Sequence, residues 1–268
     1  MQWKEEVNMS FPDELKGIPL EMGIDEAGRG PALGPMVYGS AFAEVGYKWP
    51  TSVNDSKKLT PHQREENLKR LKNLPVGFGV RVLSSVEISA KMLAPKEINL
   101  NEMSHDSARM LVQAALDAGL QIKKLYVDTV GPEAKYQEKL KHFFPNIEIT
   151  VTPRADSKFK VVSAASINAK VLRDQLVRDY IFEEPEINAT TEFGSGYPGD
   201  PVTVEWLKTN FDNVFGFPSI VRFSWGTIKD IFAKNELEED YDSKPKLPID
   251  STFYAQRWVR PVLLKKNE

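Results

Sequence analysis

Two adjacent carboxylates, Asp25 and Glu26, stand where a short apolar run, Ile18, Pro19, Leu20, Met22 and Ile24, gives way to the loop Gly28-Arg29-Gly30-Pro31. Such a junction suits metal-dependent chemistry, because glycine tolerates backbone angles closed to other residues and lets the chain approach a ligand closely. Neighbouring side chains of a regular strand point to opposite faces, so both acids serve one site only where the strand ends or bulges; the glycines are expected to supply that ending. Two more acids hold comparable places. Asp128 closes the run Leu125-Tyr126-Val127 ahead of the turn Thr129-Val130-Gly131-Pro132, and Asp156 opens a long helix, where end amides favour negative charge. Taken singly, an Asp-Glu pair is an ordinary exposed turn and Asp156 an ordinary helix-start acid.

The elements that must position these acids alternate. Apolar alternation and short apolar runs predict strands near 18–25, 36–45, 77–84, 124–129 and 147–151. Helices are expected from Thr60-Pro61 through Leu74, from Asn101 to Ala118 and from Glu133 to Phe144, on the strength of a threonine cap, the stop at Gly119 and the stop at Pro145. The longest starts near Ser157. Val161, Ala165, Ala169, Leu172, Leu176 and Tyr180 form its buried stripe, leaving Lys158, Lys170, Arg173 and Arg178 to solvent or a ligand. Strands alternating with helices imply an α/β sheet with ligands at strand ends. After Gly199 the segments 202–210 and 227–233 read as helical, joined by the aromatic-rich stretch 211–225.

A chain of 268 residues can hold one sizeable core or a core with a small appended domain. No run is long and apolar enough for a membrane span, and Met1-Gln2-Trp3-Lys4-Glu5-Glu6 lacks the apolar stretch of a signal peptide, so an intracellular protein without membrane partners is expected. Zero cysteines exclude disulfides and thiolate chemistry, and three scattered histidines exclude a histidine-rich metal site. Any metal must then be held by oxygen, which favours Mg2+ or Mn2+. A net charge of −3 argues against coating nucleic acid by bulk charge, although a local basic surface could still meet phosphate. The acids of Glu236 to Asp242 account for that sign; the remainder is slightly basic.

Asp25-Glu26-Ala27-Gly28-Arg29-Gly30-Pro31 with Leu33-Gly34-Pro35 resembles the signature of type 2 ribonuclease H, called ribonuclease HII in bacteria. Further resemblance lies in Asn54-Asp55-Ser56-Lys57-Lys58-Leu59, Tyr126-Val127-Asp128, Ala155-Asp156, Ser166-Ile167-Asn168-Ala169-Lys170-Val171-Leu172-Arg173-Asp174 and Gly194-Ser195-Gly196-Tyr197-Pro198-Gly199-Asp200. Val214-Phe215-Gly216-Phe217-Pro218, Val221-Arg222-Phe223-Ser224-Trp225 and Leu100-Asn101-Glu102-Met103-Ser104-His105-Asp106 look like the eukaryotic branch, and specifically its catalytic subunit.

The resemblance implies a ribonuclease H-like mixed central sheet flanked by helices, with a smaller C-terminal helical region. It implies a catalytic domain over 1–200 and a helical extension over 201–235; it leaves the last thirty-odd residues unassigned, and these read by composition as an acidic linker over 236–250 and an apolar-aromatic tail over 251–268 that could dock to a partner or fold back on the core. It assigns catalysis and metal binding to Asp25, Glu26, Asp128 and Asp156, holding two divalent ions, Mg2+ or Mn2+. The implied reaction cuts the RNA strand of RNA/DNA hybrids, and duplex DNA on the 5′ side of a single ribonucleotide, leaving 3′-hydroxyl and 5′-phosphate ends. Reading one 2′-hydroxyl falls to Gly28, Arg29, Gly30 and Tyr197, while Lys57 and Arg29 would lie nearest the scissile phosphate and Lys58, Arg154, Lys158 and Lys170 serve flanking phosphates. Two non-catalytic subunits and a nuclear location follow from the family alone.

Three other readings compete with this one. Another metal-dependent phosphodiesterase would lack the Asp-Glu-Ala-Gly-Arg-Gly stretch. A dinucleotide-binding enzyme is disfavoured by wrong glycine spacing and by acids that repel a pyrophosphate. A catalytically inactive nucleic-acid-binding or scaffold protein of the same family is disfavoured by the intact acids.

Overall fold

The computed structural model describes residues 7–53, 59–182, 189–212 and 215–235. Lys57, Lys58, the linker 236–250 and the tail 251–268 lie outside the described residues. The chain divides into two compact units, one of 1–29, 35–84 and 98–180, the other of 30–34, 85–97 and 181 onward.

The first unit holds a six-stranded sheet: β1 (Val7–Ser10), β2 (Pro19–Ala27), β3 (Met36–Glu44), β4 (Gly77–Leu83), β5 (Gln121–Asp128) and β6 (Glu148–Thr152). The order is β1-β4-β3-β2-β5-β6, antiparallel from β1 to β2 and parallel from β2 through β6. All five predicted strands are present. β1 is additional: four residues alternating Val-Asn-Met-Ser carry too short a pattern to signal a strand, and only pairing with β4 makes them one.

The flanking helices of this unit are α1 (Pro61–Leu71), α3 (Leu100–Asp117), α4 (Glu133–Phe143), α5 (Ala155–Lys158) and α6 (Lys160–Arg178); α2 (Ser85–Leu93), α7 (Pro201–Thr209) and α8 (Gly226–Asn235) belong to the second unit. Thr60 caps α1 as expected: its hydroxyl accepts the Gln63 N–H, and the Gln63 side chain accepts the Thr60 N–H. The long helix expected from Ser157 is interrupted. Phe159 takes extended angles (φ −124°, ψ 121°) and its half-buried ring stacks on Tyr126 of β5 at 4.1 Å, so α5 and α6 part where one aromatic ring turns onto the sheet.

Helix α6 lies directly on β2 and β3. A Cβ placed on Gly23 would sit 2.5 Å from the Val161 carbonyl carbon, and one on Gly39 would sit 2.6 Å from the Ala165 carbonyl oxygen, so glycine is needed on the strands. The helix answers with Ser163, Ala164, Ala165, Ser166 and Ala169, all buried. The buried Asn168 side chain donates to the Gly79 carbonyl at 3.1 Å and fixes the helix across the strands. Behind this layer α1 joins a core of Leu68, Leu71, Val76, Phe78, Val161 and Ile167.

The second unit is built on aromatic packing. Phe211, Phe217, Phe223 and Phe232 make edge-to-face and tilted contacts at 5.1 to 6.2 Å. Among the described residues no helix is long and apolar enough to cross a membrane.

Candidate active site

Pairing of Ile24 with Val127 in the parallel β2–β5 ladder carries the next residues, Asp25 and Asp128, to adjacent positions, Asp128 at the C-terminal end of β5 and Asp25 two residues before that of β2. Asp25 is 5% exposed and Asp156 is 4% exposed. Asp128 Oδ1 accepts the Ala155 N–H at 2.9 Å, which ties the end of β5 to the first turn of α5 and hence to Asp156. Arg154 makes that turn in the left-handed region, at φ 55°.

Contrary to expectation, β2 does not end at the Asp-Glu pair. It continues to Ala27, with Asp25 opposite Gly39 and Glu26 opposite Tyr38, and stops only at Gly28, whose φ of +79° no β-branched or bulky residue adopts easily. Strand alternation therefore operates on the two acids. Asp25 shares the face of Gly23 and Gly39, under α6; Glu26 shares the face of Tyr38, toward α3 and α4. Among the described residues no three acids or histidines form a ready-made ion cage.

On the α6 face, Asp25 Oδ1 accepts the Glu26 N–H at 2.8 Å, and the Ser166 hydroxyl hydrogen-bonds to the same carboxylate. Burial pushes the Asp25 carboxyl up to about 7; the Ser166 hydrogen bond opposes that rise, the Asp128 carboxylate adds to it, and Lys170 opposes it. On the other face Glu26 is held well above the ordinary carboxylate range, by burial first and then by the charges of Asp25 and Asp128, against the Arg29 guanidinium. Glu26 Oε2 is buried with no hydrogen-bond partner. Tyr38 and Tyr136 are fully buried nearby, and their hydroxyls are raised well above their usual range by burial and by Glu26.

These are the marks of a site suited to a hard divalent cation. The donors are all oxygen, Glu26 Oε2 is buried without a hydrogen-bond partner, and the neighbouring carboxylates raise the proton affinity of Asp25 and Glu26. Mg2+ needs only one or two protein carboxylates, the remaining positions going to water and phosphate, so Asp25 and Asp128 on neighbouring strands fit such an ion without a closed cage.

The basic residues are distributed unevenly. Arg29, expected near the scissile phosphate, sends Nη1 to Ser104 Oγ at 2.8 Å and Nη2 to Asn101 Oδ1 at 2.6 Å, so its guanidinium is held by α3. Lys170 lies at the acids, donating to Ser166 Oγ at 3.1 Å. Lys158 is exposed and donates to Thr152 Oγ1 at 2.6 Å, and Arg154 is exposed on its turn. Ser166, Asn101, Ser104, Tyr38 and Tyr136 join the site without having been expected there. For Ser166 a signal exists in the sequence: it stands one helical turn before Lys170 on the face that must meet the sheet.

The second unit shapes the chain that follows Arg29. Ala32 N–H donates to Gly196 O at 2.8 Å, Gly34 N–H to Ile220 O at 2.8 Å, and Trp225 Nε1–H to Gly30 O at 3.0 Å. Arg222, fully buried, donates from Nε to Gly34 O at 2.8 Å. Tyr197 is 51% exposed, and its ring lies against Gly30, where an added Cβ would come within 2.7 Å of Tyr197 Cε1. Asp200 anchors the tyrosine's loop, accepting from Ser195 N and Oγ and from Val202 N at the start of α7; the Ser195 hydroxyl is the main cause of its carboxyl lying below the ordinary range.

A mixed sheet of this order with helices on its flanks defines an enzyme of the ribonuclease H-like fold. The chain matches the family Ribonuclease HII over residues 22–228. It is 49% identical to a ribonuclease H2 subunit of Arabidopsis thaliana over 218 residues, 80% of this chain and 74% of that one. It is 46% identical to the corresponding ribonuclease H2 subunit of Homo sapiens over 227 residues, 83% of this chain and 76% of that one. The crystal structure of ribonuclease H2 from Pyrococcus horikoshii OT3 superposes with a TM-score of 0.64 at 32% identity, covering 81% of this chain and 98% of that one. The chain belongs to the ribonuclease HII family and is a ribonuclease, a hydrolase of the ribonuclease H class.

Proposed function

We propose that this chain is a catalytic subunit that hydrolyses the RNA strand of RNA/DNA hybrids and cuts duplex DNA 5′ of single ribonucleotides, leaving 3′-hydroxyl and 5′-phosphate ends. The observation that carries the reading is the placement of Asp25 and Asp128 side by side on β2 and β5, near the C-terminal edge of both strands, with Asp156 tied to Asp128 through Ala155.

Asp25, Asp128, Asp156 and Glu26 would hold two divalent ions, Mg2+ or Mn2+, which when bound activate water and neutralise charge on the leaving oxygen. The protein's own part is to keep these carboxylates fixed and shielded from bulk water. Gly28, Arg29 and Gly30 present backbone to the substrate, and Tyr197, half exposed beside Gly30, offers a ring face and a hydroxyl to the sugar bearing the 2′-hydroxyl. Lys57 is assigned to the scissile phosphate, and Lys58, Arg154, Lys158 and Lys170 to flanking phosphates; Arg29 positions the loop through α3.

The relatives are themselves named as subunits of ribonuclease H2, which supports an assembly with non-catalytic partners; the family resemblance supports two of them and a nuclear location. The residues divide in function into a catalytic region over 1–200, a helical extension over 201–235 and a docking tail over 251–268. The test is cleavage of a labelled RNA/DNA hybrid by the purified chain in Mg2+ or Mn2+, with the accessory proteins added in parallel. Cleavage abolished by Asp25→Asn supports the reading; cleavage indifferent to Asp25→Asn and Asp128→Asn overturns the assignment.

A further inference from the structure

Lys170 and Ser166 are one turn apart on α6, Ser166 is fully buried, and Lys170 donates to the Ser166 hydroxyl at 3.1 Å. The hydroxyl has one proton and two lone pairs, so it can accept from Lys170 and still hydrogen-bond to the Asp25 carboxylate. A buried helical serine ordinarily returns its hydroxyl to the carbonyl four residues back. Here it also engages a carboxylate of the strand. Asp25 is thus gripped twice, by its neighbour's N–H at 2.8 Å on Oδ1 and by Ser166. The close seat of α6 on Gly23 and Gly39 holds the serine at the distance this requires.

We infer that Ser166 and Lys170 are positioning residues: Lys170 orients the Ser166 hydroxyl, which fixes the Asp25 carboxylate for the divalent ion. This rests on the function proposed above and revises the part given to Lys170, which acts through Ser166 instead of gripping phosphate. Such a relay acts as a unit, because a charged donor on a hydroxyl polarises the next hydrogen bond in the chain.

The test is a double-mutant cycle on the full chain with Ser166→Ala, Lys170→Ala and both together. Three readouts are needed: unfolding in urea, Mn2+ affinity by calorimetry without nucleic acid, and cleavage with kcat and KM separated. Loss of a hydrogen bond behind a metal ligand typically weakens metal affinity or activity roughly 10- to 100-fold. Ser166→Ala is expected to weaken Mn2+ binding about tenfold and lower kcat by a similar factor with KM within about twofold. Lys170→Ala should do nearly the same in the parent but add less than about twofold in the Ser166→Ala background. The inference is overturned if the two effects multiply, if Lys170→Ala raises KM while leaving kcat and Mn2+ affinity unchanged, or if Ser166→Ala changes neither. A parent chain that binds Mn2+ and cleaves while Ser166→Ala matches it sinks only this inference; a parent that does not bind Mn2+ at all sinks the proposed function with it.

Discussion

Asp128 Oδ1 accepts the Ala155 N–H at 2.9 Å, so one carboxylate both faces Asp25 across the parallel ladder and supplies the acceptor for the first turn of α5. The two duties separate by substitution. Asp128→Asn keeps an oxygen for Ala155, whereas Asp128→Ala leaves that N–H without one, a loss of about 1–2 kcal/mol. Both should lose at least about 100-fold in cleavage, as expected when a metal ligand goes. Urea unfolding checks the difference: equal stability of the two variants contradicts the tether.

The raised carboxyl of Asp25 makes stability depend on pH with a definite sign. Its folded pKa, about 7, lies above the ordinary value of 3.8, so between those values the folded state binds more protons than the unfolded. Stability contributed by the protonated form is fully present below about 3.8 and is lost as pH rises through about 7. Without divalent ions, Asp25→Asn should therefore be more stable than the parent at pH 8, by roughly 1–4 kcal/mol since each pK unit is worth about 1.4 kcal/mol, and the gain should vanish near pH 4. Mg2+ should stabilise the parent at pH 8 and leave the variant nearly unmoved. Thermal unfolding at the two pH values, with and without Mg2+, tests both.

Gly39 meets the Ala165 carbonyl, so Gly39→Ala must push α6 off the sheet. Overpacking of this kind costs about 1–3 kcal/mol, and the shift would carry Ser166 away from Asp25 and lower cleavage with it. Gly199→Ala, where an added Cβ meets nothing within 4 Å, is the control and should stay within about 0.5 kcal/mol of the parent. Denaturant midpoints decide the matter, and equal effects at the two glycines contradict the close seat of α6.

Tyr197 and Gly30 form a second pair that substitution can address. Gly30→Ala crowds Tyr197 Cε1, and since the ring is half exposed it can move aside with little loss of stability, within about 1 kcal/mol. Both Gly30→Ala and Tyr197→Ala should lower cleavage at an isolated ribonucleotide about tenfold, the scale of 1–3 kcal/mol for a lost stacking contact. Retained cleavage in both variants removes this pair from substrate reading.

The strands and most helices are legible in the sequence because their apolar patterns are strong. The register placing Asp25 beside Asp128 is implicit in two acids that each follow an apolar strand run. The division of Asp25 and Glu26 between faces is harder to see, although alternation along β2 dictates it, because Gly28 suggests an earlier end to the strand than the backbone takes. Arg29 looks like a phosphate ligand because its partners, Asn101 and Ser104, lie over 70 residues away in sequence and no local pattern joins them. Ser166 is hidden among the small residues of α6, whose close packing gives every one of them a structural reason to be small.

The most direct measurement incubates the full chain, with its accessory proteins if they are needed, with an end-labelled DNA duplex carrying one ribonucleotide, and maps the cut. The expected result is a single metal-dependent incision on the 5′ side of the ribonucleotide, leaving a 3′-hydroxyl and absent in Asp25→Asn and Asp128→Asn. Incision on the 3′ side, or incision that persists in both variants, would contradict the assignment of the chemistry to these carboxylates.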